Sequence, residues 1–424
     1  MASTKIFSLE GKGLKLDTAE DIEPHIKALR ENDDVEEIKF LGNTLGIGAS
    51  EALAKVLETK KKLQIVNFAD IFTSRLLSEI PPALSSLLTA LLALPDLHTI
   101  NLSDNAFGLN TQAPLVAFLA SHVPLRHLIL NNNGLGPAAG VLIADALTAL
   151  AKKKAAARAS GEKVPDLETV ICGRNRLENG SMAAWAKAYA AHAGVREIKM
   201  VQNGIRQEGI AHLLKEGLSQ TTALRVLDLQ DNTFTALGAR ALSDVVGRWP
   251  ELVELGVGDC LLSGRGGIML ATALEKGGNQ KLEVLRLQYN DINAQGVKGI
   301  AGAVEKLPVL RRVELNGNKF SEEEEAIDAL REVLSARMEK AGVEDEDDEN
   351  WGLDELDELD SEDEDEEGDE EGVASDQEEE GVEVEEKAAR EVADTQKAEE
   401  EPVAQKKDEK VDELADMLGK TEIK

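Results

Sequence analysis

The sequence predicts an α/β solenoid, curved into a horseshoe and followed by a separate acidic tail, and three observations carry that prediction. First, the pattern L-x-x-L-x-L-x-x-N recurs, most clearly as LRHLILNNN from Leu125, LRVLDLQDN from Leu224, LEVLRLQYN from Leu282 and LRRVELNGN from Leu310. Weaker copies begin at Val35, Leu63, Leu97, Leu167, Val195 and Leu252, so successive starts lie 28, 34, 28, 42, 28, 29, 28, 30 and 28 residues apart. A near-constant period of this size is the signature of stacked supersecondary units. Second, a stretch with helically spaced apolar residues follows each copy. Third, the charge is segregated. Of a formal net charge of −33, the run Glu344 to Glu386 supplies −27 with no Lys or Arg, which leaves −6 for the remainder.

Within a unit, the alternation around the third and fifth offsets is the period of two expected of a short strand with one buried face, here three or four residues long. The consensus Asn at the eighth offset turns the chain, because its amide can serve backbone groups that the sheet ladder no longer reaches. Asn133, Asn232, Asn290 and Asn318 take this structural role. Next comes a helix, for example from Gly136 with Val141, Leu142, Ala146, Leu147 and Leu150 on one face. Stacked units of strand, turn and helix put a parallel sheet on the inner curve and helices outside. Units of about 28 residues with full helices indicate a leucine-rich-repeat solenoid of the ribonuclease-inhibitor-like kind.

Two long units predict insertions at the rim, where function concentrates. The 42-residue unit holds AKKKAAARASGEKVP from Ala151, which lengthens a helix or loops out. The 34-residue unit holds ADIFTSRLLSEIPPAL from Ala69, with Pro81 and Pro82 interrupting its path. KIFSLEGKGLKL is expected to cap the N-terminal end. SEEEEAIDALREVLSARMEK is expected to cap the other end, with a capping box at Ser321. These boundaries give a repeat domain over 1–342, a disordered acidic region over 343–386 and a charged tail over 387–424. Within that tail, Val411 to Lys420 is a candidate amphipathic helix.

Several function classes are disfavoured. The acidic balance argues against nucleic acid as a partner and suits a basic one, towards which the tail is expected to steer association. Two cysteines are too few for a disulfide framework, and a reducing compartment is expected. No signal-peptide run and no membrane-spanning stretch is present in the sequence, which predicts a cytoplasmic protein. GLGPAAG and SGRGG lack the Lys of a phosphate-binding loop. The six histidines are dispersed, with none at metal-ligand spacing, and each reads as packed or solvated.

What remains is the edge of the sheet. Seven residues after each unit's start stand Gly42, Asp70, Asp104, Asn132, Arg174, Gln202, Asp231, Asp259, Tyr289 and Gly317. Adjacent strands are about 4.8 Å apart, so these residues form one continuous polar rim. Two readings stay open: a surface for a folded protein partner, or an ordinary solvated edge.

Residues at variable offsets go further. NFADIFTSRLLSEIPPAL from Asn67, LSDNAFG from Leu102, LNNNGLGPAAG from Leu130, ICGRNRLENGSM from Ile171, MVQNGI from Met200 and LDLQDNTFTALG from Leu227 closely resemble the repeats of Ran GTPase-activating proteins of fungal type. So do DCLLSGRGG from Asp259, LRLQYNDI from Leu285 and LNGNKFSEEE from Leu315. The resemblance spans nearly all of residues 1–340 and continues into the acidic tail. It implies an activator that is not itself the GTPase, accelerates GTP hydrolysis by Ran in the cytoplasm and supports directional nuclear transport. It implies no cofactor of the chain's own, since the partner carries GTP and magnesium. It also implies a monomer that admits a Ran-binding protein in a ternary complex.

The family is understood to order the GTPase's own glutamine without an inserted arginine, using an asparagine whose match here is Asn132. The Asn132 amide both donates and accepts, as that task requires. Arg75, two units earlier and about 10 Å away along the array, matches a family arginine that supports the interface or loop. Direct partner contact and an ion pair with Asp70 or Glu79 stay open for it. Asp104, Arg174, Arg176, Asp231, Asp259 and Tyr289 are further candidates for partner contact or loop support. The globular C-terminal domain of vertebrate relatives is not matched, so attachment at nuclear pores is not expected. Two alternatives stand beside this reading: an acidic-tailed repeat protein acting on histones or a phosphatase, and a scaffold or inhibitor like ribonuclease inhibitor.

Overall fold

The computed structural model describes residues 5–343 and 348–360. Twelve strands form one parallel sheet in which each main strand pairs with the next in sequence, from Ile6–Ser8 to Gly352–Leu353. A short parallel pair, Lys15–Leu16 with Thr44–Leu45, lies beside it. The repeat pattern explains the register. Leu128, Val170, Ile198 and Leu227, all at the third offset, are aligned across neighbouring strands. Their side chains are buried together with the first and fifth offsets, such as Leu125 and Leu130. The strand of each repeat unit is only three residues long because the next buried side chain already belongs to the turn. Every unit thus presents one strand to the concave face and sends its helix to the convex one.

The consensus asparagines connect the units. Asn133 Oδ1 accepts from Asn105 N at 2.9 Å, and its Nδ2 donates to Leu130 O and Leu102 O at 3.0 and 3.1 Å. Asn232, Asn290 and Asn318 repeat the arrangement. Cys260 replaces the asparagine in one unit and donates to Gly258 O at 3.3 Å. Burial pushes the Cys260 and Cys172 thiols up to about 12, which leaves both protonated at neutral pH.

The 42-residue unit takes one of the two courses left open for it and extends its helix, Gly136–Ala159. The Lys154 ammonium holds the added turns in place by donating to Val123 O, Leu125 O and Pro165 O at 2.7, 2.7 and 2.8 Å. The buried face of that helix runs through Ala139, Ile143, Leu147, Leu150 and Lys154, whereas Leu142 is 38% exposed and Val141 half-buried. Ala146, Leu147 and Leu150 are buried as expected and Val141 packs against the core, so Leu142 alone leaves the expected face.

Pro81 and Pro82 do not interrupt the chain. They occupy the first turn of the helix Ile80–Leu92, where a missing N–H costs nothing. No capping box forms at Ser321. Its hydroxyl accepts from Glu323 N at 3.2 Å, and the helix starts later, at Glu325, where Ile327, Leu330 and Leu334 can reach the core. A capping box does occur at Thr18, which accepts from Asp21 N while Asp21 accepts from Thr18 N at 2.9 Å.

The largest correction concerns the acidic region. Residues 348–360, assigned above to the tail, form a strap that caps the last repeat. Gly352–Leu353 pairs with Arg312–Glu314, and Leu353, Leu356 and Leu359 pack on the core. The Asp354 carboxylate accepts from Leu315 N and Asn316 N at 2.7 and 2.9 Å, and Trp351 lies 5.7 Å from the Arg311 guanidinium. Leucines spaced among the acids give this segment an apolar face, and its carboxylates supply the acceptors that an eleventh unit would have provided. The candidate helix at Val411 to Lys420 lies outside the described residues.

Candidate functional site

The rim row shares one backbone feature that the sequence did not disclose. Asp70, Asp104, Asn132, Arg174, Gln202, Asp231, Asp259 and Tyr289 all have left-handed φ, between 47° and 62°, and Gly42 and Gly317 share the region at 73° and 69°. Each turn must reverse direction immediately after its strand, and the αL conformation does this in one residue. Asn and Asp tolerate it best among residues with a Cβ. This accounts for much of the row's composition without any partner. Arg174, Gln202 and Tyr289 are not explained that way, and they adopt it at a cost of order 1 kcal/mol.

The row is also fixed in position. Asp104 N donates to Asn131 O, Asn132 N to Gly173 O and Arg174 N to Val201 O, at 2.9, 2.9 and 2.8 Å. Gln202, Asp231, Asp259 and Tyr289 continue the series along the edge. The side chains therefore project from a rigid, evenly spaced backbone. Asn132 is exposed, and its Nδ2 donates to Asp104 Oδ1 at 2.8 Å. Arg174, Arg176 and Asp259 are exposed as well. Asp231 has its carboxyl raised above the usual range by partial burial and by the neighbouring Asp259 charge, with Arg174 opposing.

Two candidates are engaged within the chain. Tyr289 stacks its ring over Gly317, where an added Cβ would meet it at 2.0 Å, and its hydroxyl donates to Glu358 of the strap. It belongs to the end cap as much as to the rim. Arg75 does not pair with Asp70 or Glu79. Its Nε donates to Thr44 Oγ1 at 2.8 Å, its NH2 group to Thr44 O and Leu16 O at 2.9 and 3.2 Å, and its other nitrogen pairs with Asp17. With its side chain 5% exposed, it ties the rim insertion to the N-terminal cap. Glu79 instead accepts from Leu76 N at 2.9 Å, and Asp70 pairs with Thr73.

Arg75→Ala should therefore lower stability by about 1–3 kcal/mol, because Asp17, Thr44 Oγ1 and two part-buried carbonyls lose a charged donor. Limited proteolysis should show faster cleavage near Leu76, and an unchanged digestion pattern would contradict the anchoring role.

Sequence reading also missed Leu76 and Leu77. They stand 68% and 61% exposed in the insertion that follows Asp70. Adjacent exposed leucines on an anchored loop are a sign of a contact surface. Among the described residues no group of three or more His, Cys, Asp or Glu could hold a metal ion, and no helix is long and apolar enough to cross a membrane.

Comparison with known proteins adds to this geometry. The family described as Leucine Rich repeat matches residues 222–243 and 278–301. Ribonuclease inhibitor of Sus scrofa is 26% identical over 364 residues, covering 76% of this chain and 73% of that protein. Fold and asparagine ladder thus define a leucine-rich-repeat protein of the ribonuclease-inhibitor-like kind.

Ran GTPase-activating protein 1 of Saccharomyces cerevisiae is 42% identical over 336 residues, covering 77% of this chain and 81% of that protein. The chain belongs to the Ran GTPase-activating protein family. Its match to Ran GTPase-activating protein 1 of Xenopus laevis is 41% identical over 202 residues, 47% of this chain and 34% of the longer relative.

Proposed function

We propose that this chain binds Ran in its GTP-bound form and stimulates GTP hydrolysis in the partner's active site, with Asn132 ordering the partner's catalytic glutamine. The observation that carries the reading is the 42% identity to the yeast activator over most of both chains. Phosphoryl transfer needs its attacking water oriented and the charge on the transferring group stabilised, and the partner brings GTP and magnesium for the second task. A rigid rim that presents the Asn132 amide suits the first. On this reading the chain needs no cofactor, acts as a monomer in the cytoplasm in support of nucleocytoplasmic transport, and leaves room for a Ran-binding protein in a ternary complex.

The mechanism uses no inserted arginine. Arg75 is occupied by the N-terminal cap, whereas Arg174, next after Asn132 in the row, and Arg176 beside it are exposed. An arginine finger contributes about 10³–10⁵ to the rate. Arg174→Ala and Arg176→Ala should instead change the saturated single-turnover rate by less than about threefold, while weakening binding through lost rim charge. A loss of a hundredfold or more at either would overturn the finger-free scheme. The reading as a whole is tested by single-turnover hydrolysis of Ran-bound GTP with and without the chain, where acceleration is expected and its absence would refute it.

A further inference from the structure

We infer that Asp104 is a positioning residue that sets the polarity of the Asn132 side chain, so that the rim offers a hydrogen-bond acceptor and selects a donor on the partner. The inference rests on the role proposed above for Asn132.

A primary amide has nearly the same shape when turned by 180°, and it shows an approaching group either its oxygen or its NH₂. A neighbour able both to donate and to accept could not choose between the two. An ionised carboxylate only accepts. Asp104 Oδ1 lies 2.8 Å from Asn132 Nδ2, and the reversed amide would set oxygen against oxygen at that distance. The NH₂ group is therefore held towards Asp104. Asn132 is exposed, and no hydrogen bond to its Oδ1 is formed among the described residues.

The backbone makes the arrangement stiff. Asp104 and Asn132 sit at the same offset of consecutive units, with φ of 62° and 53°. Both backbone N–H groups are committed to the edge ladder, at 2.9 Å each. Among the described residues, no other neighbouring pair in the rim row is joined by a side-chain hydrogen bond. Among the described residues, Asn132 is thus the one amide of the row held by another member of it.

The consequence is directional. A glutamine meeting this acceptor must do so through its Nε2, which leaves its Oε1 to accept from the O–H of the attacking water. Carboxylate, first amide, second amide and water then form a relay in which every donor and acceptor is specified. A glutamine presented the other way would place its oxygen against Asn132 Oδ1.

The test uses the full chain and Ran·GTP in single-turnover experiments at saturating chain, with affinity and melting temperature measured in parallel. Asp104→Asn keeps size and shape but can donate as well as accept, so it no longer selects an orientation. The saturated rate should fall about three- to tenfold, the scale of one misdirected hydrogen bond, with affinity within about twofold of the parent and melting unchanged. In an Asn132→Ala background the same substitution should have no further effect on rate. A parental rate for Asp104→Asn, or an equal fold-loss in both backgrounds, would overturn the positioning role while leaving that of Asn132 intact. A parental rate for Asn132→Ala would overturn both.

Discussion

Asn132→Ala is expected to lower the stimulated single-turnover rate by more than about tenfold with only modest loss of binding, since one preorganised polar contact can contribute a few kcal/mol to a transition state. The side chain is exposed, and among the described residues it bonds only to Asp104, so its removal leaves no buried group unsatisfied. Asn133→Ala is the contrasting variant. It deletes the buried amide that holds Leu130 O, Leu102 O and Asn105 N, and its loss of activity should track loss of fold, visible as a lowered melting temperature. Equal rates for parent and Asn132→Ala would refute the assignment.

Acidification from pH 7 to pH 4.5 is expected to destabilise the repeat array strongly, through two histidines with no part in the rim. His122 and His192 each stand three residues before a unit start. Their Nε2 atoms donate to Leu97 O and Leu147 O, at 2.7 and 2.8 Å. Burial, with the nearby Lys154 charge, lowers both to about 4, although the carbonyl bonds work in the opposite direction. His122 also stacks on Phe118, and its Nδ1 is buried without a partner, so a proton there would have no acceptor.

Because both folded values lie below the ordinary 6.5, the unfolded chain binds more protons between pH 6.5 and 4. The stabilisation is complete above that window and is lost as pH falls through it, by about 3 kcal/mol for each histidine. Asp228 and Asp354, raised chiefly by burial, oppose this with smaller shifts. Urea unfolding across the pH range should show the loss, and His122→Gln with His192→Gln should flatten it even if both lower stability at pH 7. An unchanged slope would show that other groups govern acid unfolding.

The repeat was legible because burial enforces it. Leu125, Leu128 and Leu130 recur for the same reason in every unit, and the offset of Asn133 follows from the carbonyls it must serve. The position of the rim row was legible from the same counting, but its left-handed backbone was not, since Arg174, Gln202 and Tyr289 carry no conformational signal of their own. Arg75 could be placed in an insertion yet not given its partners. Asp17, Leu16 and Thr44 lie 58, 59 and 31 residues away in the chain, and no local pattern links them. The role of the first acidic residues was hidden by their charge, which outweighed the spacing of Leu353, Leu356 and Leu359.

That strap also bears on how the protein avoids itself. A parallel sheet built by stacking has no intrinsic reason to stop, and the final strand, Arg312–Glu314, offers an edge on which any extended chain, including a second copy, could lengthen it. Gly352–Leu353 occupies that edge, and Asp354, Glu355, Asp357, Glu358 and Asp360 follow it directly in the chain. A shortened protein should accordingly be cut beyond Asp360. Ending it at residue 342, just before the charge run begins at Glu344, would uncover the edge of Arg312–Glu314.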